Sequence, residues 1–116
     1  KAAGRIMEMG PQAVIIKGGH LDCTDLLMEG SETAALTGSR VAGGNHGVGC
    51  TYSAALTSFL ACGSSLKEAA LLAKRFAEAA IEGSINAGKG AGPVSQWAAS
   101  RAVAGAGSPP GREDIN

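Results

Sequence analysis

Asn45-His46-Gly47-Val48-Gly49-Cys50-Thr51 runs directly into Tyr52-Ser53-Ala54-Ala55-Leu56, a glycine-rich turn followed by a small, apolar stretch. The pattern predicts a loop feeding a helix N-terminus, with the helix over 51–61 closed by Cys62-Gly63. At such a terminus the first backbone N–H groups lack intrahelical partners, and the helix dipole adds partial positive charge. Glycines let a ligand approach that backbone closely, so phosphate is the natural guest. Two familiar phosphate loops do not fit. A Walker loop ends in Gly-Lys-Ser/Thr, and here Gly49 is followed by Cys50. The dinucleotide fingerprint needs a third small residue where Tyr52 stands.

Cys50, at the mouth of the turn, admits three readings. It could be an inert, buried small hydrophobe. It could be an acyl-transfer nucleophile with His46 as the neighbouring base. Or it could accept a hydroxyl proton from a substrate that attacks a phosphoryl group, a reaction that depends on positioning and charge stabilisation by bare amides.

The chain around this turn has 116 residues, enough for one small domain. Its hydrophobic fraction is 45% with only 3% aromatic residues, so the bulk is Ala, Val, Leu and Ile, which suits an α/β or helical core. Ten basic and ten acidic residues cancel, and no basic block or aromatic–basic patch supports a nucleic-acid or anionic-membrane partner. Apolar runs stop well short of the ~18 residues that cross a bilayer. The three cysteines (Cys23, Cys50, Cys62) are odd in number and form no CxxC pair, which fits reduced thiols in the cytoplasm. His20 and His46 have no ligand-like spacing to them, so no metal site is expected.

In chain order, residues 1–10 read as the tail of a helix closed by Gly10 and Pro11. Gln12-Ala13-Val14-Ile15-Ile16-Lys17 is a continuous β-branched run ending at Gly18-Gly19, the pattern of a strand covered on both faces. Ligands collect at the C-terminal ends of such strands in open α/β sheets. Asp25–Gly30 and Thr33–Val41 read as further strands, close enough in sequence for antiparallel hairpins at one sheet edge. Ser65-Leu66-Lys67-Glu68 has the form of a capping box. The helix it opens carries an apolar stripe through Leu66, Ala69, Ala70, Ala73, Phe76, Ala77, Ala80 and Ile81, leaves Lys67, Lys74, Arg75, Glu78 and Glu82 to solvent, and ends at Gly83. Asn86–Gly92 is a second glycine-rich loop, with Pro93 placed to start a helix over Val94–Val103. Residues 104–116 have the composition of a linker or disordered tail.

The segment His46-Gly47-Val48-Gly49-Cys50-Thr51 closely resembles the His-Gly-Thr-Gly-Cys-Thr motif of the hydroxymethylpyrimidine/phosphomethylpyrimidine kinases of thiamin biosynthesis, in the ribokinase-like superfamily. Four further stretches match in the same order. They are Lys17-Gly18-Gly19-His20, Asp25-Leu26-Leu27, Leu66-Lys67-Glu68-Ala69 with Ala73-Lys74, and Gly88-Lys89-Gly90-Ala91-Gly92-Pro93-Val94. The resemblance spans roughly Gly10 to Trp97 and implies the C-terminal half of a three-layer α/β/α fold over 1–103. Members of that family are about twice this long. The resemblance therefore implies a fragment that needs its N-terminal half, in the same or a separate chain.

What it implies for function is ATP-dependent phosphorylation of a hydroxymethylpyrimidine-type small molecule or its monophosphate, with Mg²⁺, in a cytoplasmic homo-oligomer. The amides of Gly47, Val48, Gly49 and Cys50 would form the anion hole, with Cys50 as base where most sugar kinases of the superfamily carry Asp. Lys17 would lie near the nucleotide phosphates as a point charge, or else be a solvated lysine at a strand end. Gly90, Gly92, Pro93 and Val94 would border the adenine pocket, or simply form a turn into a helix. His20 reads as a turn-stabilising side chain, and His46 as either a loop hydrogen-bonding group or part of the site's electrostatics. Departures from the family pattern are Val48 for Thr, Gly43-Gly44-Asn45 for Lys-Asn-Thr, and Ser95-Gln96 for Asn-His, and they bear on fine specificity. A pyridoxal or pyridoxine kinase is the alternative within the superfamily. Outside it stand a non-catalytic kinase-like module and a Cys50–His46 hydrolase.

Overall fold

The β-branched run after Pro11 forms strand β1 (Ala13–Ile16), and a short helix before it, α1 (Ala2–Met7), packs against it. The computed structural model describes residues 1–18, 23–39, 41, 46–85 and 88–104, which group into two units, Lys1–Arg40 and Val41–Asn116. In the first, β2 (Asp25–Glu29) and β3 (Glu32–Leu36) turn through Gly30-Ser31 and complete an antiparallel sheet in the order β1-β2-β3. The register sets Ile15 opposite Leu27, Ile16 opposite Leu26 and Asp25 opposite Leu36. Directly opposed residues share a face, so buried Val14 lies on one face and buried Asp25, Leu27 and Leu36 on the other. Within β1 itself only Val14 is buried, and Ala13, Ile15 and Ile16 are half-buried, less cover than the continuous apolar run predicts.

β3 is shorter than expected, ending at Leu36 rather than Val41. Its partner explains this. Cys23 sits in the left-handed region (φ 56°), which breaks the extended chain just ahead of Asp25. Beyond Leu36 the third strand therefore has no ladder to join.

The second unit is helical: α2 (Val48–Ala61), α3 (Leu66–Glu82) and α4 (Gln96–Ala104), with α3 packed against both others. Small side chains dominate its core. Tyr52 and Ala55 of α2 meet Ala73 and Ala77 of α3, with Phe59 and Phe76 alongside. Farther along α3, Ala80 packs with Val94 and Ala99. The capping box is formed in full: the Glu68 N–H donates to Ser65 Oγ at 3.3 Å, and the Ser65 N–H donates to Glu68 Oε2 at 3.3 Å. Gly83 closes α3 with an ordinary negative φ, and a Cβ there would collide with the Cβ of Ala98. Close packing against α4, not left-handed backbone, is what requires glycine at this position.

Three sequence expectations need correction here. First, α2 begins at Val48, not Thr51, so Val48, Gly49 and Cys50 belong to the first helical turn. Second, α4 begins at Gln96 and runs through Ala104, and Pro93 does not open it. Ser95 does, its Oγ accepting the Ala98 N–H at 3.2 Å, while the Val94 N–H is engaged by the His46 carbonyl at 3.2 Å. Third, Lys74 is buried at 7% exposure rather than solvated. It lies one turn after buried Ala70 on the same helix row, so the buried face of α3 takes in a lysine that its charge alone would send to solvent. The tail expected from Ala104 onward lies, from residue 105, outside the described residues.

Candidate functional site

Gly47 determines how the site is built. It is the N-cap of α2 with φ 90°, a conformation that costs an L-residue strain and lets the chain turn sharply into the helix. The first intrahelical hydrogen bond of the turn runs from the Thr51 N–H to the Gly47 carbonyl at 2.9 Å. The N–H groups of Val48, Gly49 and Cys50 thus occupy three of the four positions that a helix leaves without intrahelical acceptors, the N-cap Gly47 being the fourth. Among the described residues, nothing apart from the chain neighbours and the helix's own backbone lies within 4 Å of where a Gly49 Cβ would stand, so the approach to these amides is open there.

The turn is held from behind by the segment that precedes α4. His46 and Pro93 form a parallel β-bridge, with the His46 N–H donating to the Gly92 carbonyl at 3.4 Å. The Pro93 carbonyl accepts the Ile85 N–H at 3.4 Å, and the Ser95 N–H donates to the Ala80 carbonyl at 2.8 Å. This ties the segment to the C-terminal turn of α3 as well. Val48 packs its side chain against the Ala80, Val94 and Ala99 cluster.

Beside this turn lies an open pocket of about 460 Å³. Two rows of α2 line it, Cys50-Ala54-Ser58 and Thr51-Ala55-Phe59, with Phe76 of α3 and Gln96 of α4. The rows follow the helix for roughly 13 Å at 1.5 Å per residue. Apart from the hydroxyls of Thr51 and Ser58, the Gln96 amide and the Cys50 thiol, the wall is apolar. Gln96 Nε2 donates to Thr51 Oγ1 at 3.0 Å, joining α4 to the first turn of α2. The Cys50 thiol is exposed, and all three cysteines are free.

Gly47, Val48, Gly49 and Cys50 are thus consecutive in one turn, and Gly92–Val94 is bridged directly to it. Gly90 and Pro93 are exposed, whereas Gly92 and Val94 are buried. Lys17 belongs to the first unit, where its ammonium meets Asp25 Oδ2 at 2.6 Å. It is therefore neither solvated alone nor unpartnered. His20 and Asn45 lie outside the described residues. Three features escaped the sequence reading. Asp25 stands in the sequence as a strand residue and as the first of the Asp25-Leu26-Leu27 stretch, and an acid opening an apolar strand is the signal that points to its buried partner. The Thr51–Gln96 link and the aromatic lining from Phe59 and Phe76 depend on packing between helices. Among the described residues, no three His, Cys, Asp or Glu side chains come together as metal ligands. No helix among them is long and apolar enough to cross a membrane.

Comparison with known proteins gives a consistent picture. The family model for phosphomethylpyrimidine kinase matches residues 1–95. The hydroxymethylpyrimidine/phosphomethylpyrimidine kinase of Bacillus subtilis is 41% identical over 106 residues, covering 87% of this chain and 39% of that protein. A thiamine biosynthesis bifunctional protein of Geobacter sulfurreducens is 38% identical over 107 residues, covering 89% of this chain and 22% of that protein. Among solved structures, the pyridoxal kinase from Staphylococcus aureus in complex with AMP-PCP and pyridoxal superposes with a TM-score of 0.80 at 40% identity. It covers 86% of this chain and 39% of that one. The architecture is thus part of a ribokinase-like α/β fold, and the chain spans about two-fifths of the length of relatives such as the Bacillus subtilis enzyme (39%).

Proposed function

The chain belongs to the phosphomethylpyrimidine kinase family, and from that premise we propose that it supplies the phosphoryl-transfer corner of a kinase acting on hydroxymethylpyrimidine or its monophosphate, with ATP as donor. The observation that carries this reading is the α2 N-terminus. Three successive amides without intrahelical acceptors, with open space at Gly49, form a cradle for the charge that develops on a transferring phosphoryl group.

In this mechanism the acceptor hydroxyl loses its proton to the Cys50 thiolate as its oxygen attacks the γ-phosphorus. The bond from that phosphorus to the β–γ bridging oxygen breaks, and ADP leaves. The N–H groups of Gly47, Val48, Gly49 and Cys50 stabilise the non-bridging oxygens. Lys17 contributes positive charge toward the nucleotide phosphates. The apolar, aromatic-edged pocket along α2 suits a flat heterocycle at one end of a ligand whose anionic end reaches the helix terminus. The segment Gly90, Gly92, Pro93 and Val94, which leads into Gln96, borders the nucleotide base. Mg²⁺, carried with the nucleotide, would supply charge neutralisation at the ATP phosphates. The remaining wall of the site, and the full acceptor pocket, would come from the part of the kinase domain that the relatives possess beyond this match, whether in the same chain or another.

A second acceptor is favoured by one specific finding: the Staphylococcus aureus structure superposing at a TM-score of 0.80 is a pyridoxal kinase with pyridoxal bound. A coupled ADP-release assay on the complete polypeptide, run side by side with hydroxymethylpyrimidine, its monophosphate and pyridoxal, separates the two. Turnover of the pyrimidines at the higher kcat/KM is the expected result. Preference for pyridoxal would transfer the assignment to a vitamin B6 kinase, and ATP-independent chemistry at Cys50 would end both.

A further inference from the structure

The Lys17–Asp25 pair has a feature that a surface ion pair lacks. Asp25 is 1% exposed while the Lys17 side chain is 41% exposed, so the acid is locked inside and the lysine reaches outward from it. The register explains the meeting. Ile16 stands opposite Leu26, which puts Lys17 opposite Asp25 at the end of the ladder, where opposed side chains share a face. The second carboxylate oxygen, Oδ1, accepts the Gly18 N–H at 3.0 Å. A Cβ on Gly18 would meet the Thr24 backbone, so the two chain segments are pressed together beside the pair. One buried carboxylate thus fixes both the lysine head and the backbone on which the lysine stands.

From this geometry we infer that Asp25 is a positioning residue: it holds the Lys17 ammonium preorganised for the phosphates of a nucleoside triphosphate. The inference rests on the proposed kinase reading, in which Lys17 meets those phosphates. Lysine is a flexible four-carbon stem with a compact charge, and immobilising it at the moment of binding costs affinity. A lysine already held by Asp25 and a fixed backbone avoids that cost. Simple electrostatics would give the opposite sign. If Asp25 merely offset the charge of Lys17, neutralising the acid would strengthen phosphate binding.

The test uses the complete polypeptide and measures AMP-PCP affinity by calorimetry alongside steady-state kinetics. Asp25→Asn keeps the shape and one acceptor for the Gly18 N–H while removing the charge. The expected result is a rise of roughly tenfold in AMP-PCP Kd and in KM for ATP, with kcat changed far less. Lys17→Met should show a similar loss, and the double variant no further loss, because Asp25 acts through Lys17. A purely structural Asp25 would lower the melting temperature in every variant and leave Kd unchanged, which overturns the inference. Tighter AMP-PCP binding in Asp25→Asn, or additive losses in the double variant, also overturns it. If Asp25→Asn fails to fold, Lys17→Arg decides the matter. Its longer, planar head cannot keep the same seat, so it should weaken AMP-PCP binding, and full affinity would refute the positioning role. Because binding is read separately from turnover, a protein that binds AMP-PCP yet phosphorylates no acceptor would sink the kinase reading while still reporting on Asp25.

Discussion

Replacing Gly47 or Gly49 by alanine adds the same methyl group two residues apart, and the structure assigns the two changes opposite effects on stability. Among the described residues the new Cβ at Gly47 would meet Val94 Cγ2, at an ordinary 3.7 Å, so space is not the obstacle there. The obstacle is φ 90°, which should cost roughly 1–2 kcal/mol for a residue with a side chain. Gly49 is inside the first helical turn, and among the described residues nothing apart from the chain neighbours and the helix's own backbone lies within 4 Å of its Cβ position. Alanine there should gain up to about 1 kcal/mol of helix propensity. The Cβ of a helical residue leans toward the N-terminus, and here that is where an anion would have to reach the Val48–Cys50 amides. Gly49→Ala should therefore melt higher than the parent protein yet lose phosphoryl transfer by about 10²-fold or more, the scale of misplacing or blocking one catalytic contact. Gly47→Ala should melt lower and also lose activity, because the strained cap tilts the same amides. Thermal unfolding together with kcat/KM for ATP on the complete polypeptide reads both. Undiminished transfer in Gly49→Ala would refute the placement of the phosphoryl group at this turn.

Gly83→Ala forces the α3 terminus away from Ala98 and should destabilise by about 1–3 kcal/mol, the usual cost of overpacking, seen as a lower denaturant midpoint. Ser65→Ala removes the α3 cap and should cost about 1 kcal/mol, with kinetic constants unchanged. Gln96→Ala leaves the buried Thr51 hydroxyl without its 3.0 Å donor. It should lose about 1–2 kcal/mol and raise KM for ATP, because Gln96 also lines the pocket beside Cys50.

Local signals in the sequence were enough for the elements whose ends are chemically marked. The Ser65–Glu68 box, the α3 stripe and Gly83 bounded one helix to the residue, and the β-branched run after Pro11 marked β1. The collinear motifs pointed to the family, which the match over residues 1–95 bears out. Boundaries governed by nonlocal partners were not legible. The length of β3 depends on the backbone conformation at Cys23, and the start of α4 depends on a bridge from Val94 to His46, far upstream. The same holds for side chains. Lys17 could be recognised as a charged residue at a strand end, but its seat on Asp25 follows from sheet register, which periodicity does not specify. Charge places Lys74 in solvent on the sequence pattern, whereas its row on α3 is buried together with Ala70. The pocket beside Cys50 needed three helices in place before its aromatic edge existed.

The most direct test of the account is single-turnover phosphoryl transfer by the complete polypeptide carrying Cys50→Ala, with AMP-PCP affinity measured on the same sample. The substitution removes the thiol and leaves the Cys50 amide and the α2 cap in place. If Cys50 is the base, the chemical step should slow by roughly 10²–10⁴-fold while AMP-PCP affinity stays within about threefold, under 1 kcal/mol. A variant that transfers phosphate at the parent rate would contradict the central claim, since the exposed thiol beside the helix amides would then have no part in the reaction.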